Sequence, residues 1–312
     1  MKTIIINEPG DVENFVYADV EKPVINSDEV LVQVKAISVN PIDAKVRAGQ
    51  GIYQLLKNEE QLILGWDISG IVMEAGDDSI FKVGDEVFGL IRFPGHGRAY
   101  AEYIAAPINQ LALKPANITH AEAASSTLAA LTAYQALLVH ANLKRGQSVL
   151  VHAAAGGVGH FAVQMAKHLG AKVTGTSSEK NKDFVLELGV DEHIDYHAYN
   201  WKNSEARFDF VFDTVGGANI DKSLHVVKQS GTLISIPSGL SEEINERAKA
   251  KGVNGLFFLV SSNGDQMKII AEWLAQDIIK PHVSETFTFD QIAKAHKQIE
   301  SGRTVGKIVV EL

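Results

Sequence analysis

The sequence predicts an α/β protein built on a doubly wound parallel sheet, with a second, mostly β domain ahead of it. Three observations carry this. Residues 149–177 read as strand, glycine turn, helix and strand; strands and helices then alternate through about residue 275; and the first 115 residues show only short β runs between turn clusters.

The other elements are placed around one central unit. Val149, Leu150 and Val151 run into a turn at Gly156, Gly157 and Gly159, after which Phe161, Val163, Met165, Ala166 and Leu169 recur at helical spacing. Gly170 stands where a C-terminal cap belongs, and residues 172–176 supply a second strand. In such a βαβ unit the glycines let the backbone approach a pyrophosphate, and the unpaired N–H groups and dipole of the helix start bind the anion. The run Ala154-x-Gly156-x-x-Gly159 replaces the first glycine of the usual pattern, but its strand-turn-helix-strand setting is the context that the motif requires. Ala154, Gly156, Gly157, Val158 and Gly159 are the expected phosphate-binding turn.

The pattern next asks for an acid about 20 residues on, to hold the ribose 2′-OH of NAD. Here the second strand ends at Ser177 and Ser178, followed by Glu179 and Lys180. Two hydroxyls and a cation suit a 2′-phosphate, so NADPH is the expected cofactor, with Glu179 turned to solvent.

From the start of the chain, 312 residues with 46% hydrophobic and 21% charged side chains suit two globular cores. A formal net charge of −9 argues against nucleic acid or an anionic membrane as the main partner. There are no cysteines, which excludes disulfides, thiolate zinc sites and a cysteine nucleophile. The opening MKTIIINEPGD has too short an apolar run for a signal peptide, and no stretch approaches a membrane span, so a cytoplasmic location is expected.

Short β runs at 3–6, 29–36, 68–74, 86–90, 100–105 and 110–114 alternate with turn clusters such as Glu8-Pro9-Gly10 and Gly76-Asp77-Asp78. Thr119-x-x-Glu122 then forms a capping box ahead of a long alanine-rich helix reaching about Ala141, and the domain change is placed there. Beyond Lys280-Pro281 one helix at 290–300 and a strand at 307–310 are too small to stand alone. The expected domains are therefore 1–118 with 280–312, and 119–279. The apolar run 255–260 reads as the last strand of the parallel sheet, an edge that pairing with a second copy would cover, so a homodimer is expected.

With these pieces in place the chain resembles the medium-chain dehydrogenase/reductase superfamily, in its zinc-independent quinone oxidoreductase (zeta-crystallin-like) branch. The resemblance rests on Ser38-Val39-Asn40-Pro41-Ile42-Asp43, Leu64-Gly65-Trp66-Asp67, the turn from Phe81 to Val87, Leu131-Thr132-Ala133-Tyr134, the AAAGGVG run, Phe212-Asp213-Thr214-Val215-Gly216-Gly217 and Gly306-Lys307-Ile308-Val309. It implies a Rossmann-type doubly wound sheet plus a GroES-like mostly β barrel. It also implies two-electron reduction, by NADPH, of a quinone or related α,β-unsaturated carbonyl.

The departures from zinc alcohol dehydrogenases of that superfamily bear on mechanism. Their three ligand positions fall here in the Asn40-Pro41-Ile42 region, at Trp66 and near Leu128, none of which can bind zinc. No metal is expected; His152, His160 and His168 read as packing within the βαβ unit. Acceptors that delocalise incoming charge, such as quinones and enones, need less help than a simple ketone when the Lewis acid is gone.

Residue roles follow from the resemblance. Asn40 is similar to the family's side chain near nicotinamide and acceptor, and Thr132 to the threonine that contacts nicotinamide. Tyr53 and Lys45 are candidate donors to the acceptor carbonyl. Val215 and Gly216 are expected to approach the cofactor ribose, and Tyr196 to close over the 2′-phosphate, with Arg303 and Lys307 as further phosphate partners. Asp43 and Asp67 read as structural partners of a nearby cation. An enoyl-thioester or alkenal reductase is the alternative within the enzyme class, and a non-catalytic NADPH-binding sensor or structural protein the alternative outside it.

Overall fold

The computed structural model describes all 312 residues, which divide into two compact units: Met1–Leu131, Val260–Asp277 and Pro281–Leu312 form the first, and Thr132–Leu259 with Ile278–Lys280 the second. The first unit opens with β1 (Lys2–Ile6) and β2 (Phe15–Asp19), an antiparallel pair, followed by the long β3 (Glu29–Val39). Pro41 pre-sets the first turn of α1 (Pro41–Arg47), and the Asp43 carboxylate accepts the Asn40 backbone N–H at 2.7 Å, satisfying one orphan donor of the helix start. A second short helix, α2 (Tyr53–Leu56), leads into β4 (Leu62–Ile63), β5 (Asp67–Ala75), β6 (Glu86–Leu90), β7 (Tyr103–Pro107) and β8 (Leu111–Leu113).

The expected single helix over 119–141 is broken. Thr119 and Glu122 form the capping box of α3 (His120–Ser125), but the Ser125, Ser126 and Thr127 hydroxyls bond back to the carbonyls of Glu122 and Ala124 and end it. α4 (Leu128–Tyr134) then follows, continued by a π-helical stretch, Gln135–His140.

The second unit is a six-stranded, wholly parallel sheet. β9 (Ser148–Val151), α5 (Gly159–His168) and β10 (Lys172–Ser177) are the predicted βαβ unit, and α6 (Lys182–Glu187), β11 (Glu192–Asp195), β12 (Phe208–Asp213), α7 (Asn219–Val226), β13 (Val227–Ser235), α8 (Glu242–Ala250) and β14 (Asn254–Leu256) complete it. The spatial order is β11-β10-β9-β12-β13-β14, so the strand order reverses between β9 and β12. Ligands of open parallel sheets bind at that switch point, beyond the carboxyl ends of the strands. β14 is the edge, but only Gly255 and Leu256 of the predicted 255–260 run pair in the ladder, because the chain leaves the sheet after Leu256.

After α9 (Gly264–Ala275) the tail adds β15 (Val283–Thr288), α10 (Ile292–Glu300) and β16 (Lys307–Glu311) to the first unit. β16 runs parallel to β15 and antiparallel to β3, whose other edge carries β5. β7 and β16 share one edge of β3 in tandem, β7 along residues 29–33 and β16 along 36–39. β3 has strand partners on both edges and α3 packed on it, and it is almost wholly buried apart from Gln33 and Lys35. No helix is long and apolar enough to cross a membrane.

Candidate functional site

In the second unit the glycine turn follows β9 directly. Ala153 takes a left-handed φ of 47°, rare for a residue with a Cβ and a sign of local strain at the start of the loop. A Cβ on Gly159 would collide with the Ala153 carbonyl and the Ala154 Cα, and one on Gly156 would sit 3.1 Å from the same carbonyl oxygen. These glycines therefore bring the start of α5 against the end of β9, leaving a backbone cradle at a helix N-terminus that suits a pyrophosphate. Gly175, in β10, makes room for Ala154 in the same way.

The end of β10 is organised differently from the expectation. Ser177 is buried, and its hydroxyl lies 2.9 Å from the Ser178 carbonyl and 2.8 Å from His193 Nε2. That hydroxyl is occupied, which leaves Ser178 and the exposed Lys180 as the groups facing outward. Glu179 is exposed and paired with Lys182 at 3.2 Å, so its carboxylate is partly neutralised. The Tyr196 N–H donates to the Ser177 carbonyl at 3.2 Å, which sets Tyr196 beside the strand end, with its ring tilted against His197 and 43% exposed. His193 was not visible as a site residue in the sequence, because only the β10–β11 register brings it to this corner, whereas Lys182 reaches Glu179 by local i,i+3 spacing.

Across the switch point, the wholly buried Asp213 is the anchor of the next loop. One carboxylate oxygen accepts from the backbone N–H groups of Val215 and Gly216, both at 2.9 Å, and from Asn219 at 3.2 Å; the other accepts from Ser223 at 3.1 Å. Gly216, at φ 73°, could not carry a side chain without meeting the Ser238 hydroxyl. Val215 projects outward, 52% exposed.

Between these loops His152 is buried, with Nδ1 3.3 Å from the Thr176 hydroxyl and Nε2 unpartnered. Burial pulls its imidazole down to about 4, against the raising effect of Asp213. An unfolded imidazole takes up its proton near 6.5, so between those values the unfolded chain holds the extra proton. Stability from this group is therefore fully present above pH ~6.5 and is lost at about 1.4 kcal/mol per pH unit as the pH falls toward 4. Denaturant melts of the second unit at pH 7.0, 5.5 and 4.5 should show this slope, and His152→Gln should flatten it. An unchanged slope in the variant would assign the acid sensitivity to other groups.

The first unit holds a second cluster, at the junction of β3, α1, β5 and β16. Lys307 is buried rather than exposed beside a phosphate: its ammonium donates to Asn40 Oδ1 and lies 3.5 Å from the Val39 carbonyl. This corrects its expected role, since its position on β16, antiparallel to β3, turns it into the core. Asn40 Nδ2 donates to Asp67 at 2.8 Å and to the Ser38 carbonyl at 3.3 Å, and Asp67 also accepts the Leu128 N–H at 3.0 Å. Burial raises both carboxyls, Asp43 to about 7 with help from the Asp67 charge, while Lys307 opposes the rise in each. Lys307 itself is lowered by burial, against the pull of Asp67 and Asp43.

A further chain approaches Asp43 from behind. Arg47, paired with Glu300 at 2.6 Å, can only donate, so His296 Nδ1 accepts from it at 3.3 Å. His296 Nε2 then carries the hydrogen and donates to the Tyr100 hydroxyl at 2.9 Å. Burial, and then the Arg47 charge, push this imidazole down to about 3.

Lys45 on α1 is half-buried, and Tyr53 opens α2, which packs on α1. The intervening loop folds back through Gly51, where a Cβ would come within 2.9 Å of Ile42 Cδ1. Asn40, Lys45 and Tyr53 thus belong to one neighbourhood of the first unit. Thr132 is buried on α4, at the start of the second, and Arg303 lies exposed in the turn before β16.

The donor set does not suit zinc. No group of three or more His, Asp or Glu side chains converges, Trp66 is buried with its indole N–H on the Gly95 carbonyl at 2.7 Å, and the Asn40 amide is engaged as above. The glycine turn, by contrast, fits a dinucleotide.

Comparison with known proteins agrees with this geometry. Residues 26–116 match the family described as alcohol dehydrogenase GroES-like domain, and residues 188–310 the one described as zinc-binding dehydrogenase. The chain is 34% identical to the 2-methylene-furan-3-one reductase of Solanum lycopersicum, over 94% of this chain and 74% of that protein. It is 33% identical to the chloroplastic NADPH-dependent alkenal/one oxidoreductase of Arabidopsis thaliana, over 99% of this chain and 79% of that one. The structure of the quinone oxidoreductase from Coxiella burnetii superimposes with a TM-score of 0.93 at 34% identity, covering 100% of this chain and 99% of that chain. A GroES-like domain, a six-stranded parallel dinucleotide-binding sheet and whole-chain similarity at this level show that the chain belongs to the medium-chain dehydrogenase/reductase superfamily, in its quinone oxidoreductase and alkenal reductase branch.

Proposed function

We propose that the chain is an NADPH-dependent reductase that transfers a hydride to a quinone or related α,β-unsaturated carbonyl without a bound metal. The observation that carries this is the filling of the zinc-ligand positions by side chains with other work, Asn40 on Lys307 and Asp67, and Trp66 on Gly95. A site of that kind favours an acceptor that spreads charge into a conjugated system. The names of similar proteins divide between a quinone and enones, which share a conjugated carbonyl.

The bound dinucleotide would supply the hydride; the protein supplies binding, orientation and charge. The turn at Gly156, Gly157, Val158 and Gly159 and the start of α5 hold the pyrophosphate. Ser178, Lys180 and Tyr196 take the 2′-phosphate, and the backbone of Val215 and Gly216, fixed by Asp213, lies against the ribose. The Thr132 hydroxyl orients the nicotinamide, while Tyr53 and Lys45 are the donors to the carbonyl oxygen on which charge develops.

Steady-state NADPH oxidation with a panel of quinones, alkenals and enoyl thioesters, run with and without chelator, tests the proposal. Turnover with quinones or enones, unchanged by chelator and with no stoichiometric zinc in the purified protein, is the expected result. Tight NADPH binding with no oxidation in any well would identify a sensor instead, and activity lost on chelation would overturn the metal-free mechanism.

A further inference from the structure

The cluster at the head of α1 has a direction. Lys307 can only donate, Asp67 when ionised and the Ser38 carbonyl can only accept, and Asn40 stands between them. This removes the usual ambiguity of an amide: Oδ1 must face the ammonium, and both Nδ2 hydrogens must face Asp67 and Ser38. The side chains of Asn40, Asp67 and Lys307 are all buried, so water does not compete for these bonds.

We propose that Lys307 is a positioning residue, whose ammonium starts a one-way hydrogen-bond chain, Lys307 to Asn40 to Asp67, that locks the Asn40 amide with both N–H bonds turned into the first unit. Asn40 then cannot donate to the acceptor, and the donors to the carbonyl are other groups. Its contribution is the fixed shape of the Val39–Pro41 turn from which α1, with Lys45, starts. Three distant stretches are required for this lock: the end of β3, the start of β5 and the first residue of β16. For its effect on turnover this inference rests on the proposed reading of Lys45, on α1, as a donor to the acceptor carbonyl.

Two variants separate position from charge balance. Lys307→Met leaves two buried carboxyls without their cation and is expected to lower the melting temperature. Lys307→Met combined with Asp67→Asn removes a cation and an anion together and should recover most of that loss. The decisive readout is solvent exchange of the Asn40 side-chain amide, followed by NMR on protein labelled with 15N-asparagine and assigned through Asn40→Gln. In the folded double variant we expect exchange at least about tenfold faster than in wild type, the factor that loss of one charge-assisted hydrogen bond supplies. The kcat for NADPH oxidation should fall about tenfold, with the KM for NADPH within about twofold, as loss of positioning predicts. Exchange as slow as in wild type would overturn the lock; fast exchange with wild-type kcat would overturn its role in turnover. If wild type oxidises no NADPH at all, the proposed function fails, while the exchange measurement still decides the lock.

Discussion

Gly159→Ala is expected to abolish measurable NADPH binding. The added methyl would meet the Ala153 carbonyl and the Ala154 Cα, both backbone atoms, so no side-chain rotation relieves the clash. The turn must open, which moves the α5 N–H groups away from the pyrophosphate and costs about 1–3 kcal/mol of stability by overpacking. Loss of the charge-assisted bonds from that helix start should lower affinity at least about a hundredfold. Gly156→Ala, with its nearest atom at 3.1 Å, is the graded comparison and should lose less. Fluorescence titration with NADPH, beside denaturant melts of both variants, measures the two effects. A Gly159→Ala protein that binds NADPH as wild type does would show that this turn does not hold the cofactor.

The second large effect concerns the choice between NADPH and NADH. Lys180 is exposed on the short turn after β10, and Glu179 is engaged by Lys182. A charge-assisted hydrogen bond contributes about 1.5–3 kcal/mol, and solvent screening of an exposed pair puts Lys180 at the lower end, roughly tenfold in the cofactor ratio. Lys180→Ala should therefore reduce the ratio of kcat/KM for NADPH over NADH about tenfold, mostly through NADPH. Because Lys182 neutralises Glu179, Lys182→Ala should reduce the ratio in the same direction by releasing a carboxylate near the 2′-phosphate. An NADH-preferring wild type, or an unchanged ratio in Lys180→Ala, would move the phosphate elsewhere.

How far the chain could be read in advance follows from the range of the forces involved. The βαβ unit was legible because its strand, glycines and helix lie within 29 consecutive residues, 149–177, and each local preference points the same way. The six-stranded parallel sheet followed from alternation alone. The break after α3 was missed because alanine-rich text hides three hydroxyls, on Ser125, Ser126 and Thr127, that compete for backbone carbonyls. β15 was missed for the opposite reason: Val283–Thr288 is largely exposed and polar, so its text carries little of a core strand. At the site, the glycines were visible, but Asp213 and His193 were not, since their partners depend on loop closure and strand register. Lys307 was misread because a lysine near a chain end looks like a surface charge, and nothing local reveals a core position set by β3.

The placement of β16 also has a consequence for the order in which the protein is made. Val39 and Lys307 meet across 268 residues of chain. At roughly 5–20 residues per second, the last turn of β3 waits on the order of ten to fifty seconds on the ribosome before its partner exists. During that wait Ala36, Ile37 and Val39, all fully buried in the finished fold, sit on an unpaired strand edge. Such an edge invites pairing with other nascent chains. The second unit, whose strands all lie between residues 148 and 256, can close meanwhile. A core strand translated early is thus among the last to be sealed, and cellular yield should depend on chaperone cover of the N-terminal half more than on the stability of the finished molecule.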